Sequence, residues 1–356
     1  MLNRRFPIGA LALSACAVLL AACSPSSEES VPPSSAEVDA GEVNIYSARQ
    51  EVLIKPLLDR FSEQTGIQVN LVAGRADELM QRLQAEGRNT RADVLLTVDA
   101  GNLHRATEAG FFQSIDSAVL QASVPEAYRD AEGRWFGLSM RARPIMYAKE
   151  RVDPASLANY ADLVEPEWRG RICIRSSSNV YNQSMVAAMI AHDGVEATQQ
   201  WVNGVVANFA RPPQGGDRDQ IRAVAAGQCD VALANTYYLG AMLAAGEGAD
   251  YEVARQIGIV WADQDGHGTH VNISGAGVTV HARNRDNAIR LLEFLVSDEA
   301  QQWYAEANQE YPVKPGVEAS EILRGFGEFK ADAISLGGIG EHYPEAVRVM
   351  DRAGWR

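Results

Sequence analysis

Two adjacent phenols, Tyr237 and Tyr238, follow the apolar run Cys229-Asp-Val-Ala-Leu-Ala-Asn235, and a third, Tyr181, sits in Ser176-Ser-Ser-Asn-Val-Tyr181-Asn-Gln. Brought together, they would offer three anionic oxygens to one small, highly charged cation. A phenol has a pKa near 10 and ligates poorly while protonated, so only a strongly Lewis-acidic ion displaces its proton near neutral pH. Hard cations select oxygen donors, whereas thiolates and imidazoles favour softer metals. That chemistry points to iron(III). The tyrosine pair alone is also compatible with ordinary half-buried aromatics at a strand end, so the surrounding chain has to decide.

Around these residues short apolar runs alternate with amphipathic stretches. Residues 43–46 read as a strand, and Ile54, Leu57, Leu58 and Phe61 fall at i, i+3, i+4, i+7, which predicts a helix stopped at Gly66. A strand over 68–72, a helix over 77–86 and a strand over 92–98 complete a βαβαβ rhythm. The rhythm restarts after Arg141-Ala-Arg-Pro144, with strands expected at 171–175, 230–234, 257–262 and 277–281 and helices at 182–192, 196–209 and 219–226. A further helix is marked by Ala288, Leu291, Leu292 and Leu295. The expected fold class is α/β, two lobes with mostly parallel sheets. Ligands in such sheets sit beyond the carboxyl ends of strands. Tyr181 and Tyr237-Tyr238 both lie just past such ends.

The first 22 residues read as an export signal, with Arg4 and Arg5 ahead of an apolar stretch over 8–22 that is short for a membrane span. Leu20-Ala-Ala-Cys23 resembles a bacterial lipobox, which implies cleavage before Cys23 and its acylation; an uncleaved anchor helix is the alternative. Residues 24–39 hold six Ser and three Pro with almost no large apolar side chains, so they read as part of a tether over 23–41. The remaining 315 or so residues exceed a usual single core. Loss of the signal takes Arg4 and Arg5 with it and moves the formal net charge from −14 to −16, which argues against nucleic acid or an anionic membrane surface as partner. Cys173 and Cys229 remain as an even pair in an oxidising compartment, each in or beside an expected strand, and a disulfide between them is expected, with two free thiols as the alternative.

The chain resembles the periplasmic ferric-ion-binding proteins that deliver iron to ABC transporters, most closely the branch with a tyrosine-rich site. The stretches that carry the likeness are Asn44-Ile-Tyr-Ser-Ala-Arg49, Ala92-Asp-Val-Leu-Leu-Thr-Val-Asp99, Ser139-Met-Arg-Ala-Arg-Pro-Ile-Met-Tyr147, Arg175-Ser-Ser-Ser-Asn-Val-Tyr-Asn-Gln183, Ala234-Asn-Thr-Tyr-Tyr238 and Gly268-Thr-His-Val-Asn-Ile-Ser-Gly275. The resemblance implies a monomeric two-lobed solute-binding fold whose strands cross near 141–143 and 270–274, with 42–141 and 272–316 as lobe 1 and 142–271 and 317–356 as lobe 2. It implies Tyr181, Tyr237 and Tyr238 as iron ligands, and Arg141, or else Arg143, as the holder of a synergistic carbonate or similar anion, with Ser177 and Asn235 beside it. A guanidinium suits that role because its fork pairs a planar oxyanion bidentately. The partners implied are an ABC transporter permease and, through Cys23, a membrane lipid.

The chain also departs from that pattern. Where relatives place His-Tyr or a lone His, this sequence has Gln50-Glu51, and where some place a glutamate it has Val98-Asp99. Either Glu51 coordinates from lobe 1, or three tyrosines with an anion and water suffice; the second is expected, because a residue just starting a helix turns to solvent. A receptor for a small organic solute or oxyanion, gripped by Arg141, Ser176-Ser-Ser178 and Asn235, is the alternative on the same fold.

Other signals carry less. His267-Gly-Thr-His270 has glycines around it that disfavour a zinc-binding helix. Asn272-Ile-Ser274-Gly lacks the first glycine of a nucleophile elbow. No GxxxxGK phosphate loop and no triad appears, so the chain does not read as an enzyme.

Overall fold

The computed structural model describes residues 41–356. The signal peptide, Cys23 and the tether up to residue 40 lie outside the described residues. Among the described residues nine strands form two sheets: β1 (Glu42–Ser47), β2 (Gln68–Ala73), β3 (Val94–Val98), β4 (Phe136–Ala142) and β9 (Val271–Val278) in the order β2-β1-β3-β9-β4, and β5 (Ile145–Ala148), β6 (Ile172–Cys173), β7 (Val231–Leu233) and β8 (Ile257–Val260) in the order β6-β7-β5-β8.

The sheets are mixed, where the sequence suggested mostly parallel ones. β1 runs parallel to β2 and β3, and β6 parallel to β7, but β9 is antiparallel to β3 and β4, and β5 is antiparallel to β7 and β8. The cause is the double crossing. The chain leaves the first sheet along β4 and enters the second along β5 after Arg143 and Pro144 alone; β9 carries it back. Ala142 pairs with Val271, and the Arg143 amide donates to the His270 carbonyl at 3.0 Å, so the two crossings are bonded to each other. They lie at the positions expected from the sequence.

The predicted elements form where the apolar spacing put them. Helix Lys55–Thr65 buries Leu57, Leu58 and Phe61 and ends at Gly66, whose φ of 74° suits glycine. Burying each such side chain contributes roughly 1.5–3 kcal/mol relative to exposure. The two helices expected over 182–192 and 196–209 form within Val180–Ala207, separated by a kink at Gly194, whose φ of 81° and ψ of 169° are not helical. Two expected strands change length: the one at 171–175 shortens to Ile172–Cys173, and the one at 277–281 is the end of the long crossing strand β9. Among the described residues no helix is long and apolar enough to cross a membrane.

Cys173 and Cys229 are bonded, their Cα atoms 5.8 Å apart. The bridge ties β6 to the chain just before its parallel neighbour β7, where Met146, Val224, Leu239 and Ala232 pack around it. The C-terminal helix Tyr343–Ala353 lies against Val180–Ala207, with Gln199 Nε2 donating to the Val349 carbonyl at 3.1 Å, while Tyr343 reaches back to Asp99 at the end of β3.

Candidate functional site

β6 and β7 are adjacent and parallel, and a helix begins shortly beyond the carboxyl end of each. Asn179 caps Val180–Ala207 by accepting from the Tyr181 amide at 3.1 Å, and Asn235 precedes Thr236–Ala244. Tyr181 is thus the second residue of one helix, and Tyr237 and Tyr238 are the second and third of the other. Helical side chains tilt toward the N-terminus, so all three phenols hang over the positive ends of two helix dipoles, which favour negative charge there.

The phenol oxygens of Tyr181 and Tyr237 stand 3.2 Å apart, and the rings of Tyr237 and Tyr238 lie 4.1 Å apart between centroids, tilted by 34°. Burial is the main reason that Tyr237 is held well above the usual phenol range, with the neighbouring tyrosines adding to it and the Arg141 charge opposing it. Tyr238 is raised too, by burial first and then by Tyr181 and Asp217. Both phenols are therefore protonated at neutral pH in the metal-free protein.

The tyrosines line a cleft of 780 Å³ whose other wall comes from the loop after β1 and from Val98 and Glu310. Arg141, 2% exposed, reaches it from β4. Its Nη1 donates to Ser274 Oγ at 2.9 Å, while Nε and Nη2, both buried, have no partner among the described residues. Those two N–H groups form the side-on edge that a planar carboxylate or carbonate would take. The guanidinium carbon lies 5.5 Å from the centre of the Tyr181 ring, and that of Arg175 lies 5.6 Å from it. Two cations therefore flank the phenol.

The other expected residues are placed differently. Arg143 donates to Asp217 at 3.2 Å, to Asn235 Oδ1 at 2.9 Å, to Asn182 Oδ1 at 2.6 Å and to the Leu233 carbonyl at 3.2 Å. It anchors the ends of β7 and of the Tyr181 helix, and Asn235 belongs to the same buried cluster. Ser177 gives its carbonyl to Gln183, and Ser176 and Ser178 bond to each other within a turn. Glu51 is exposed at the start of the turn Glu51–Leu53, and Gln50, Val52 and Leu53 face the cleft instead. Asp99 is buried, accepts from Gly101, Asn272 and Tyr343, and does not line the cleft.

His267 stacks on His192 at 3.8 Å, and His270 opens β9 with its ring buried, beside a separate 440 Å³ cavity lined by Met185, Met189 and Trp201. Among the described residues no three His, Cys, Asp or Glu side chains group so as to hold a metal.

Sequence reasoning passed over two residues of the cleft. Arg49 and Glu310 form a buried ion pair at 2.6 Å. Arg49 stands in one of the quoted family blocks, which is a signal; Glu310 stands in none. Asp217, fully buried between Arg143 and Arg175, carried no sequence signal either.

Residues 89–324 match the family of bacterial extracellular solute-binding proteins. The chain is 46% identical over 338 residues to iron uptake protein A1 of Synechocystis sp., covering 95% of this chain and 93% of that one. Among solved structures it is similar to the Trichodesmium FutA (IdiA) complex with iron and citrate ligands, with TM-score 0.85, 47% identity and coverage of 89% of this chain and all of the other. It is also similar to the ferric binding protein of Campylobacter jejuni, with TM-score 0.84, 39% identity and coverage of 88% and 100%. With its two sheets, paired crossings and tyrosine-lined cleft, the chain belongs to the bacterial extracellular solute-binding proteins and has their two-lobed fold.

Proposed function

We propose that this protein captures Fe(III) in the cleft between its lobes and presents it to an ABC transporter permease, with Tyr181, Tyr237 and Tyr238 as metal ligands and Arg141 as the seat of a synergistic anion. The observation that carries this reading is the convergence of three phenols at two helix N-termini, beside a buried guanidinium whose bidentate edge is unpartnered. Three phenolates balance the charge of one Fe(III), and an anion on Arg141 fills further coordination positions. The relatives support the same substrate: the Synechocystis protein is an iron uptake protein, and the Trichodesmium structure contains iron.

Residues 42–141 with 272–316 act as one lobe and 142–271 with 317–356 as the other, closing about the paired crossings. Since Glu51 is exposed and Gln50, Val52 and Leu53 are poor ligands for a hard cation, lobe 1 supplies the anion seat and no metal ligand. A lipid on Cys23 keeps a monomer at the membrane, in the periplasm, within reach of its permease. Binding rather than catalysis is the role, in line with the solute-binding relatives.

A receptor for an organic oxyanion would use the same Arg141 edge, but Asn235, Ser176 and Ser178, most of the rest of its grip, are engaged internally. Native mass spectrometry separates the two. Loading with ferric citrate should add one iron per chain, whereas carboxylate binding without iron would favour the organic receptor.

A further inference from the structure

We propose that Arg49, held by Glu310, is the positioning residue that keeps the open edge of Arg141 turned to the tyrosines and ties it to the turn Glu51–Leu53; this rests on the iron(III) reading above. Arg49 is 3% exposed, and each part of its guanidinium is engaged. Nε donates to the Leu53 carbonyl at 3.1 Å, Nη1 to Ser274 Oγ at 2.8 Å and to Ser139 Oγ at 3.4 Å, and Nη2 to Glu310 Oε2 at 2.6 Å. Ser274 Oγ also accepts from Arg141 Nη1 at 2.9 Å, so one hydroxyl serves two guanidiniums. Glu310 in turn accepts from Ser139 Oγ at 2.6 Å.

Two like charges sharing a hydroxyl repel in a buried site, and the pairing persists because one of them is neutralised. The carboxylate sits on Arg49. Asp99, the other buried acid facing Arg141, is taken up by Tyr343, Asn272 and Gly101. Arg141 is thereby left with a charge in no ion pair among the described residues and with two free N–H groups. Glu310 thus decides which of the two arginines is available to an external anion, and the shared Ser274 fixes which edge it shows. The same Arg49 holds the Leu53 carbonyl, so the rim formed by Gln50, Val52 and Leu53 and the anion seat move together. A lysine at 49 carries the charge but, as a single point of attachment, cannot span Leu53, Ser274 and Glu310 at once.

The test is iron(III) affinity, read by the tyrosinate absorption band, with and without bicarbonate, in the mature protein and in its Arg49→Lys, Glu310→Gln and Ser274→Ala variants, each checked for a cooperative melt. The wild-type affinity should rise with bicarbonate. In the Arg49→Lys and Ser274→Ala variants that rise should shrink by about tenfold while the bicarbonate-free affinity stays within about threefold of wild type, as expected when an oriented guanidinium–oxyanion contact is lost. Ser274→Ala leaves the Arg49–Glu310 pair in place, so it decides the matter even if the charge variants do not fold. Equal losses with and without bicarbonate, or none, overturn the proposal, as does a wild type that binds iron with no bicarbonate gain. A wild type with no tyrosinate band overturns the iron reading itself, and this proposal with it.

Discussion

Tyr181 and Tyr237, on different helices, bring their phenol oxygens to 3.2 Å of each other beyond the ends of two parallel strands. At that separation one phenol donates to the other, and two bare phenolates would repel. A small trivalent cation placed against both oxygens replaces the shared proton with a much larger charge. In the proposed site, that cation is Fe(III).

Replacing Tyr238 by Phe should lower iron(III) affinity by at least about a hundredfold while changing apo stability by less than about 1 kcal/mol, since the ring packing is kept and only a ligating oxygen is lost. Citrate competition titrations and urea melts of the same sample measure both. Glu51→Ala, by contrast, should leave affinity within about threefold, because an exposed side chain turned from the cleft has no ligand role. A hundredfold loss there would restore a lobe 1 ligand.

Asp217 lies fully buried between Arg143 and Arg175 and also accepts from the Asn235 amide at 2.8 Å. Asp217→Asn should destabilise the fold by about 3–5 kcal/mol, because it leaves buried guanidiniums uncompensated. Denaturant unfolding reads the loss.

The Cys173–Cys229 bridge closes a loop with a sequence separation of 56 residues. Its removal as the double serine variant should cost about 2–4 kcal/mol, mostly by freeing the unfolded chain. Because the bridge joins the two strands that carry the tyrosine helices, iron affinity should fall as well, measured by the same titration.

His270 gives a pH dependence separate from the metal. Burial holds its imidazole down at about 4, against an ordinary value of 6.5, so the folded protein keeps it neutral where the unfolded chain protonates it. Its contribution is fully present above pH 6.5 and is lost as pH falls toward 4. Apo stability should therefore drop by about 2–3 kcal/mol across that window. His270→Gln should flatten the slope between pH 6.5 and 4, as followed by thermal melts at a series of pH values.

The sequence carried those parts of the protein that depend on residue type and local spacing. Tyr237-Tyr238 is visible as two adjacent phenols after an apolar run, and the helix over Leu57, Leu58 and Phe61 because its apolar residues share one face. Arg141 and Arg143 looked alike two residues apart. Within a strand i and i+2 would share a face, but β4 ends at Ala142, so Arg143 falls in the crossing and meets Asp217 while Arg141 meets the cleft, a distinction that only the strand end and the partner's position settle. Glu310 was out of reach because its partner Arg49 is 261 residues away, and no local pattern marks a long-range ion pair. Mixed sheet direction escaped for a similar reason: it follows from the double crossing, which is a property of topology rather than of any one strand.

The central claim, a tyrosinate iron(III) site, is tested most directly by the visible absorption of the purified mature domain titrated with ferric citrate, beside Tyr237→Phe. A broad phenolate-to-iron charge-transfer band should saturate near one equivalent and be lost in the variant. Folded wild-type protein that takes up no iron and shows no band would contradict it.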